Sequence, residues 1–176
     1  FETTNDEVLT ILEKNHSSVD LANAIEISQT NNIDIRPTWM PFSPWTNQND
    51  LIDIIKLIEN YKLRETVDPI QLTIKLLIPK NSLILQRSEI KGYLKDYDKN
   101  SLSYMWDYKN EEVNILQVSL FNYLLDTPDL DEHSQYLGMV KIIENMTQSN
   151  LISDLNYSYK NVPKLSETWF CCAEPS

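Results

Sequence analysis

Apolar residues recur every three or four positions in five stretches of the chain, and this spacing predicts amphipathic helices. The predicted helices span residues 6–15, 18–31, 48–62, 110–125 and 131–148. Asn5 is a favourable N-cap for the first helix, and Asp6 and Glu7 in its first turn complement the helix dipole. The second half of the chain is therefore expected to be mainly helical.

Two segments between the predicted helices have the character of strands. Residues 33–39 contain Pro37 near their end, and residues 70–78 form an apolar run that Pro79 closes. Alternating strands and helices over the first 80 residues favour βα units around a parallel sheet. We expect the two segments to be neighbouring parallel strands, joined by a right-handed crossover through the helix at 48–62.

The beginning of the chain looks like the end of a further strand. Phe1 is not a start methionine, and Phe1-Glu2 directly precedes the first helix signal. A sheet of two strands and a stub would expose a long unpaired edge, which natural proteins avoid. We therefore expect more of the sheet on the N-terminal side.

Composition narrows the classes of function. The 176 residues carry 15 Lys and Arg against 26 Asp and Glu, for a net charge of −11, which disfavours nucleic acid and anionic membranes as partners. No apolar run approaches the roughly 20 residues of a membrane span. Two glycines are too few for a Gly-rich phosphate loop. Two adjacent cysteines do not form a secreted disulfide framework, so a cytoplasmic location is expected.

Several longer motifs resemble one family. They are FETTNDEVL with Lys14 and His16 after it, RPTWMPFSPWT at 36–46, DPIQLTIKLLIP at 68–79, SYMW at 103–106 and CCAEP at 171–175. Together they resemble the CCAEP-tail radical S-adenosylmethionine (SAM) proteins, some of which carry selenocysteine in the tail. The resemblance covers nearly the whole chain, and the tail is its most specific part.

The resemblance implies an α/β fold in which residues 1–80 are the C-terminal half of a partial (β/α) radical SAM barrel. Residues 81–165 would be a mainly helical extension, and residues 166–176 an irregular tail. The implied activity is reductive cleavage of SAM by a [4Fe–4S] cluster, which starts radical chemistry on an unknown small-molecule or peptide substrate. A cobalamin domain further upstream is compatible with the resemblance.

The cluster motif C-x3-C-x2-C is absent from the 176 residues. Two adjacent cysteines cannot ligate the cluster as the family does. We therefore expect the ligands on a missing N-terminal half of the same polypeptide, and we expect this chain alone to bind no cluster and to be inactive.

Three residues are candidates for contacts with SAM. Glu2 follows the strand stub and is implied to accept hydrogen bonds from the SAM ammonium or ribose, or else it is simply solvated. Lys14 is implied to reach the carboxylate or ribose, or else it is an ordinary cation at a helix end. Arg36 lies in an apolar segment and needs an anionic partner, which is either SAM or an internal acid. We expect Arg36 to point into the same concave face as Glu2.

Trp39, Trp45 and Gln71 are candidates for substrate contacts, because they follow or line the expected barrel strands. The alternative is that the aromatic residues only pack. Cys171 and Cys172 are candidate catalytic thiols, with a soft-metal site or an inert tail as alternatives. Two other functions stay open: a stand-alone thiol redox or metal-binding module that uses the tail, and a non-catalytic acidic interaction domain.

Overall fold

The computed structural model describes residues 1–152, and helices form most of its regular structure. The helices in chain order are α1 Asp6–Ile11, α2 Ser18–Thr30, α3 Gln48–Asn60, α4 Glu111–Asp126 and α5 Glu132–Thr147. Each coincides with a predicted helix, although α1 ends earlier than expected. No helix within these 152 residues is long and apolar enough to cross a membrane.

Local side-chain chemistry accounts for where the helices begin. The Asn5 carboxamide oxygen accepts hydrogen bonds from the backbone N–H groups of Glu7 and Val8, which confirms the predicted N-cap. Ser17 and Asn47 begin α2 and α3 through capping boxes, in which an acidic residue three positions later bonds back to the cap. These bonds satisfy amide groups that have no partner inside the helix.

The predicted parallel sheet is wrong. The strands in the described part of the chain are β1 Leu94–Asp98 and β2 Ser103–Trp106, which form one antiparallel hairpin. This region lies within the stretch expected to be a helical extension. No parallel strand pair and no portion of a barrel occurs within residues 1–152.

The two segments predicted as strands are held in other ways. Residues 33–39 are largely exposed, and the Trp39 backbone N–H donates to the Gln71 side chain instead of a strand. The second segment begins with a 3-10 helix, Pro69–Thr73, because proline suits the first turn of a helix. Beyond it, a single parallel bridge joins Phe42 to Lys75. An apolar run can be buried as a helical turn or as a strand, and periodicity does not separate the two.

One hydrophobic core spans both halves of the chain. It joins α3 to α4 and α5, with the 3-10 helix Pro69–Thr73 packed against α4 and α5. A smaller cluster lies between the hairpin and residues 76–90. Fully buried members of the main core include Ile54, Ile55, Ile58, Leu116, Leu120, Tyr136, Val140 and Ile143.

A buried ion pair closes this core at the end of α3. The Glu59 and Arg64 side chains are 7% and 3% exposed and pair with each other. The Tyr136 hydroxyl, on α5, donates to the same carboxylate at 2.8 Å. A carboxylate buried in a core is tolerated only when its charge and lone pairs are satisfied, so these contacts tie α5 to the end of α3.

Replacing Arg64 with Met should lower the free energy of unfolding by about 3–5 kcal/mol, because Glu59 would stay buried without its cation. The matched control is Lys56→Met, which breaks an exposed pair between Lys56 and Asp53 at 3.8 Å. The control substitution should lower the free energy of unfolding by no more than about 0.5 kcal/mol. Urea denaturation monitored by circular dichroism measures both, and equal losses in the two variants would contradict this view of the core.

Candidate functional site

A cleft of about 640 Å³ opens between the N-terminal residues, the end of α1 and residues 82–87. This volume lies within the range of roughly 300–1,000 Å³ that small-molecule sites occupy. Most of its wall is apolar, and polar groups are concentrated at a few points. The apolar residues are Phe1, Ile11, Leu12, Trp39, Met40, Ile74, Leu76, Leu83 and Ile84, and the polar ones are Glu2, Glu13, Lys14, Thr38, Gln71, Ser82, Gln86 and Arg87.

Glu2 and Lys14 form an ion pair at this cleft, with 2.5 Å between Oε1 and Nζ. The backbone places both. Met40 donates its N–H to the Glu2 carbonyl at 2.9 Å, and the Lys14 N–H donates to the Leu9 carbonyl at 3.0 Å, in the pattern of a Schellman turn that ends α1. Both side chains are partly exposed, at 26% and 37%, so water or a ligand can reach the pair.

Arg87 is a second cation in the lining of the cleft. Arg87 donates to the Glu13 carboxylate at 2.7 Å and to the Glu89 carboxylate at 3.3 Å. Its Nε atom is buried and has no hydrogen-bond partner in the described part of the chain. The cleft therefore presents two cations and two carboxylates, a set that suits a ligand carrying charges of both signs.

The floor of the cleft carries hydrogen-bonding groups in an apolar setting. Trp39 is 2% exposed and Gln71 is 6% exposed. The Gln71 carbonyl oxygen accepts from the Trp39 backbone N–H at 3.0 Å, which leaves its amide group as a donor. The Trp39 indole N–H is buried without a partner among residues 1–152. The Gln71 amide is therefore the polar group of the floor that a ligand could contact.

The structure brings together some of the residues predicted from the sequence and separates others. Glu2, Lys14, Trp39 and Gln71 all line the cleft. Arg36 does not line the cleft. It is exposed and pairs with Asp68 at 3.5 Å, so its anionic partner is an internal acid.

The remaining predicted residues also lie elsewhere. Trp45 packs edge-on against Tyr93, with 6.3 Å between ring centroids, and its indole N–H donates to the Glu89 carbonyl. Trp45 does not line the cleft. Cys171 and Cys172 lie outside the described residues.

Sequence reasoning missed Arg87 and Glu13. Arg87 lies in a stretch of weak periodicity, and nothing in the local sequence distinguishes it from other surface cations. Glu13 faces Arg87 because it adopts a left-handed conformation, with φ of 53°, at the end of α1. The predicted helix at 6–15 includes this turn. An earlier end of α1 is the only feature that would have revealed the position of Glu13.

Residues 1–152 contain no group of three or more His, Cys, Asp or Glu side chains arranged to hold a metal ion. A [4Fe–4S] cluster therefore has no ligand set in this part of the chain. The chain matches no protein-family model, and no similar protein emerged from the curated proteins or the solved structures.

Replacing Gln71 with Leu should lower the free energy of unfolding by about 1–3 kcal/mol, because the buried backbone N–H of Trp39 would lose its acceptor. Gln86→Leu is the matched control, since Gln86 lines the same cleft but is exposed. The control should change stability by no more than about 0.5 kcal/mol. Chemical denaturation measures both variants, and an unaltered midpoint for Gln71→Leu would count against the placement of this side chain.

Proposed function

We propose that the cleft binds SAM and that the chain forms part of a radical SAM enzyme. One observation carries the proposal: Glu2 and Lys14, predicted as SAM contacts, line the same cleft as Trp39 and Gln71, which were predicted as substrate contacts. They are separated by up to 69 positions in the chain (71 minus 2). The resemblance in the sequence supplies the identity of the ligand.

The charges at the cleft fit the methionyl end of SAM. Glu2 offers a carboxylate to an ammonium group, and Lys14 offers a cation to a carboxylate. The two side chains already pair at 2.5 Å, so ligand charges would replace part of an existing interaction instead of meeting an empty site. Their partial exposure keeps the cost of that exchange small.

The floor fits the uncharged end of the same ligand. The Gln71 amide group is a donor, and Met40, Ile74 and Leu76 provide apolar surface beside it. A flat heteroaromatic ring with acceptor nitrogens satisfies both features. When bound with an external iron–sulfur cluster, SAM supplies a radical-forming bond cleavage; the residues of this chain bind and orient it.

The cluster would be contributed by residues outside this sequence. The described residues lack a ligand set, and the two cysteines of the tail are adjacent in sequence. A cluster-bearing segment is therefore the proposed partner of this chain. The alternative thiol or metal function rests on Cys171 and Cys172, and a purely acidic interaction domain leaves the cleft without a role.

SAM should bind the chain with a heat measurable by titration calorimetry, and Lys14→Met should weaken binding by about 1.5–3 kcal/mol, or roughly tenfold to a hundredfold. Lys95→Met is the matched control. Lys95 forms an ion pair of the same 2.5 Å length with Asp107, and neither residue lines the cleft.

Decarboxylated SAM sharpens this test, because it lacks the group that Lys14 is proposed to meet. Its affinity should be lower than that of SAM and should respond little to Lys14→Met. Absence of SAM binding by the unmodified chain would overturn the proposal. Equal sensitivity of both ligands to Lys14→Met would remove Lys14 from the carboxylate contact.

The isolated chain should hold no four-iron cluster after anaerobic incubation with ferrous iron and sulfide. Three thiolate ligands are needed in the family's manner, and the sequence has two cysteines. Iron and sulfide analysis with optical spectra measures the loading. The variant with both cysteines replaced by Ser gives the background, and stoichiometric four-iron loading of the unmodified chain would contradict the expectation.

A further inference from the structure

The outward side of α4 carries large apolar side chains that stay exposed within residues 1–152. The inward side contributes buried residues such as Leu116 and Leu120 to the core. On the outward side, Ile115 is 52% exposed, Val118 46% and Leu125 58%. Single exposed apolar residues are common on protein surfaces, but these three share one side of one helix. α4 is therefore apolar on two sides.

α3 shows the pattern expected of a helix with one side free. It lies on the same hydrophobic core as α4. Its exposed residues are all polar, namely Asn49, Asp53, Lys56 and Asn60. The apolar outward side of α4 is thus a particular feature of this helix and is not shared by its neighbour in the core.

The spacing of the outward residues matches the packing of two helices. Ile115, Val118, Asn122 and Leu125, here called the outer stripe of α4, follow one another at intervals of three, four and three residues. The a and d positions through which two helices pack along a narrow seam have this spacing, and a polar residue at one of them fixes the register of the pair. An α-helix is therefore the element whose side chains match the outer stripe.

A groove of about 400 Å³ begins at one end of the outer stripe. Ile115 and Glu112 line it together with Gln48 at the start of α3 and residues 146–148 at the end of α5. Its lining thus combines apolar side chains with a carboxylate. A Lys or Arg side chain suits such a groove, because its stem is apolar and its end is cationic.

The charged side chains on α4 and directly after it are all acidic. From the N-cap of α4 to that of α5, residues 110–131 contain no Lys or Arg and five acids, which are Glu111, Glu112, Asp126, Asp129 and Asp131. Those at the ends of α4, Glu111, Glu112 and Asp126, form no ion pair within residues 1–152. Both ends of the outer stripe therefore offer negative charge, which Lys and Arg of a partner complement.

A second copy of the chain does not supply this complement. If two α4 helices packed antiparallel, Glu111 and Glu112 of one copy would meet Asp126 of the other. If they packed parallel, identical acids would meet. The chain as a whole carries a net charge of −11, so self-association through this surface is opposed by charge.

We propose that the outer stripe of α4 binds a basic amphipathic helix of a partner protein. The apolar side of that helix packs on Ile115, Val118 and Leu125. One of its Lys or Arg side chains enters the groove beside Glu112, and others meet the acids at the ends of α4. No residue of the outer stripe lines the cleft proposed to bind SAM, so this proposal does not rest on that one.

The probe for this surface is a synthetic peptide of three heptads with Leu at the a and d positions and Lys at the e and g positions. Fluorescence anisotropy measures its affinity for the unmodified chain, next to that of a peptide with Glu in place of every Lys. The Lys peptide should bind at least tenfold more tightly, and its affinity should fall as salt is added. Equal affinities would overturn the proposal. So would absence of binding by the Lys peptide, which is the result expected if another part of the chain already covers the outer stripe.

Val118→Asn locates the contact, because it removes an apolar side chain from the middle of the outer stripe and leaves the net charge unchanged. The affinity of the Lys peptide should fall about tenfold. Val19→Asn is the matched control, since Val19 is 64% exposed on α2, and it should leave the affinity unchanged. Equal effects of the two substitutions would mean that the peptide binds acidic surface elsewhere, and the proposal would fail.

Glu112→Gln tests the groove and the charge together. It should weaken binding of the Lys peptide severalfold at low salt and have less effect at high salt. Glu7→Gln, at an exposed acid of α1, is the matched control and should change little. An equal loss in both variants would show that only the overall charge attracts the peptide, which contradicts the proposed contact.

Sedimentation velocity separates a partner helix from a second copy as the occupant. The unmodified chain should sediment as a monomer at the concentrations used for the peptide titrations. A dimer that Val118→Asn dissociates would assign the outer stripe to a second copy and overturn the proposal.

Discussion

The Glu59 carboxylate is the group whose burial constrains the rest of the structure most. It pairs with Arg64 and accepts from the Tyr136 hydroxyl, so α5 must lie against the end of α3. Removing Arg64 would leave an uncompensated charge in the core, and removing the Tyr136 hydroxyl would take one donor from the carboxylate. The 3-10 helix Pro69–Thr73 follows shortly after Arg64 and packs under α4 and α5. That placement lets Gln71 reach Trp39, and so the floor of the cleft depends on the ion pair that precedes this 3-10 helix in the chain.

Scarcity of glycine shapes the ends of the helices and, through them, the cleft. The chain has two glycines, and neither adopts a left-handed conformation. Residues with side chains take these positions instead, at Glu13, Asn32, Lys62 and Gln148, each with φ between 53° and 55°. At the end of α1 this turn directs Glu13 toward Arg87 and places Lys14 beside Glu2. A glycine there would make the same turn but would supply no charge to the cleft.

The candidate site was predictable in part. Glu2, Lys14, Trp39 and Gln71 were reached from motif resemblance, and all four line the cleft. Arg36 was expected there on the argument that a cation in an apolar segment needs an anion. The premise of a buried guanidinium is wrong, because Arg36 is exposed, and its partner is Asp68. Choosing between an internal acid and a ligand requires knowledge of which residues distant in sequence lie nearby, and Arg87 was missed for the same reason.

The sequence by itself determined the helices, because capping residues and apolar spacing act over a few neighbouring positions. It did not determine the state of residues 33–39 and 70–78. Their apolar and extended character is compatible with strands, with a 3-10 turn or with irregular chain, and the choice depends on which backbone groups find partners. Only the tertiary structure decides between these states. The Gln71 side chain accepts from the Trp39 backbone N–H, and α4 and α5 cover Pro69–Thr73. Hydrogen bonding and burial between distant segments outweigh local preference there, because an unpaired buried amide costs more than propensity differences supply.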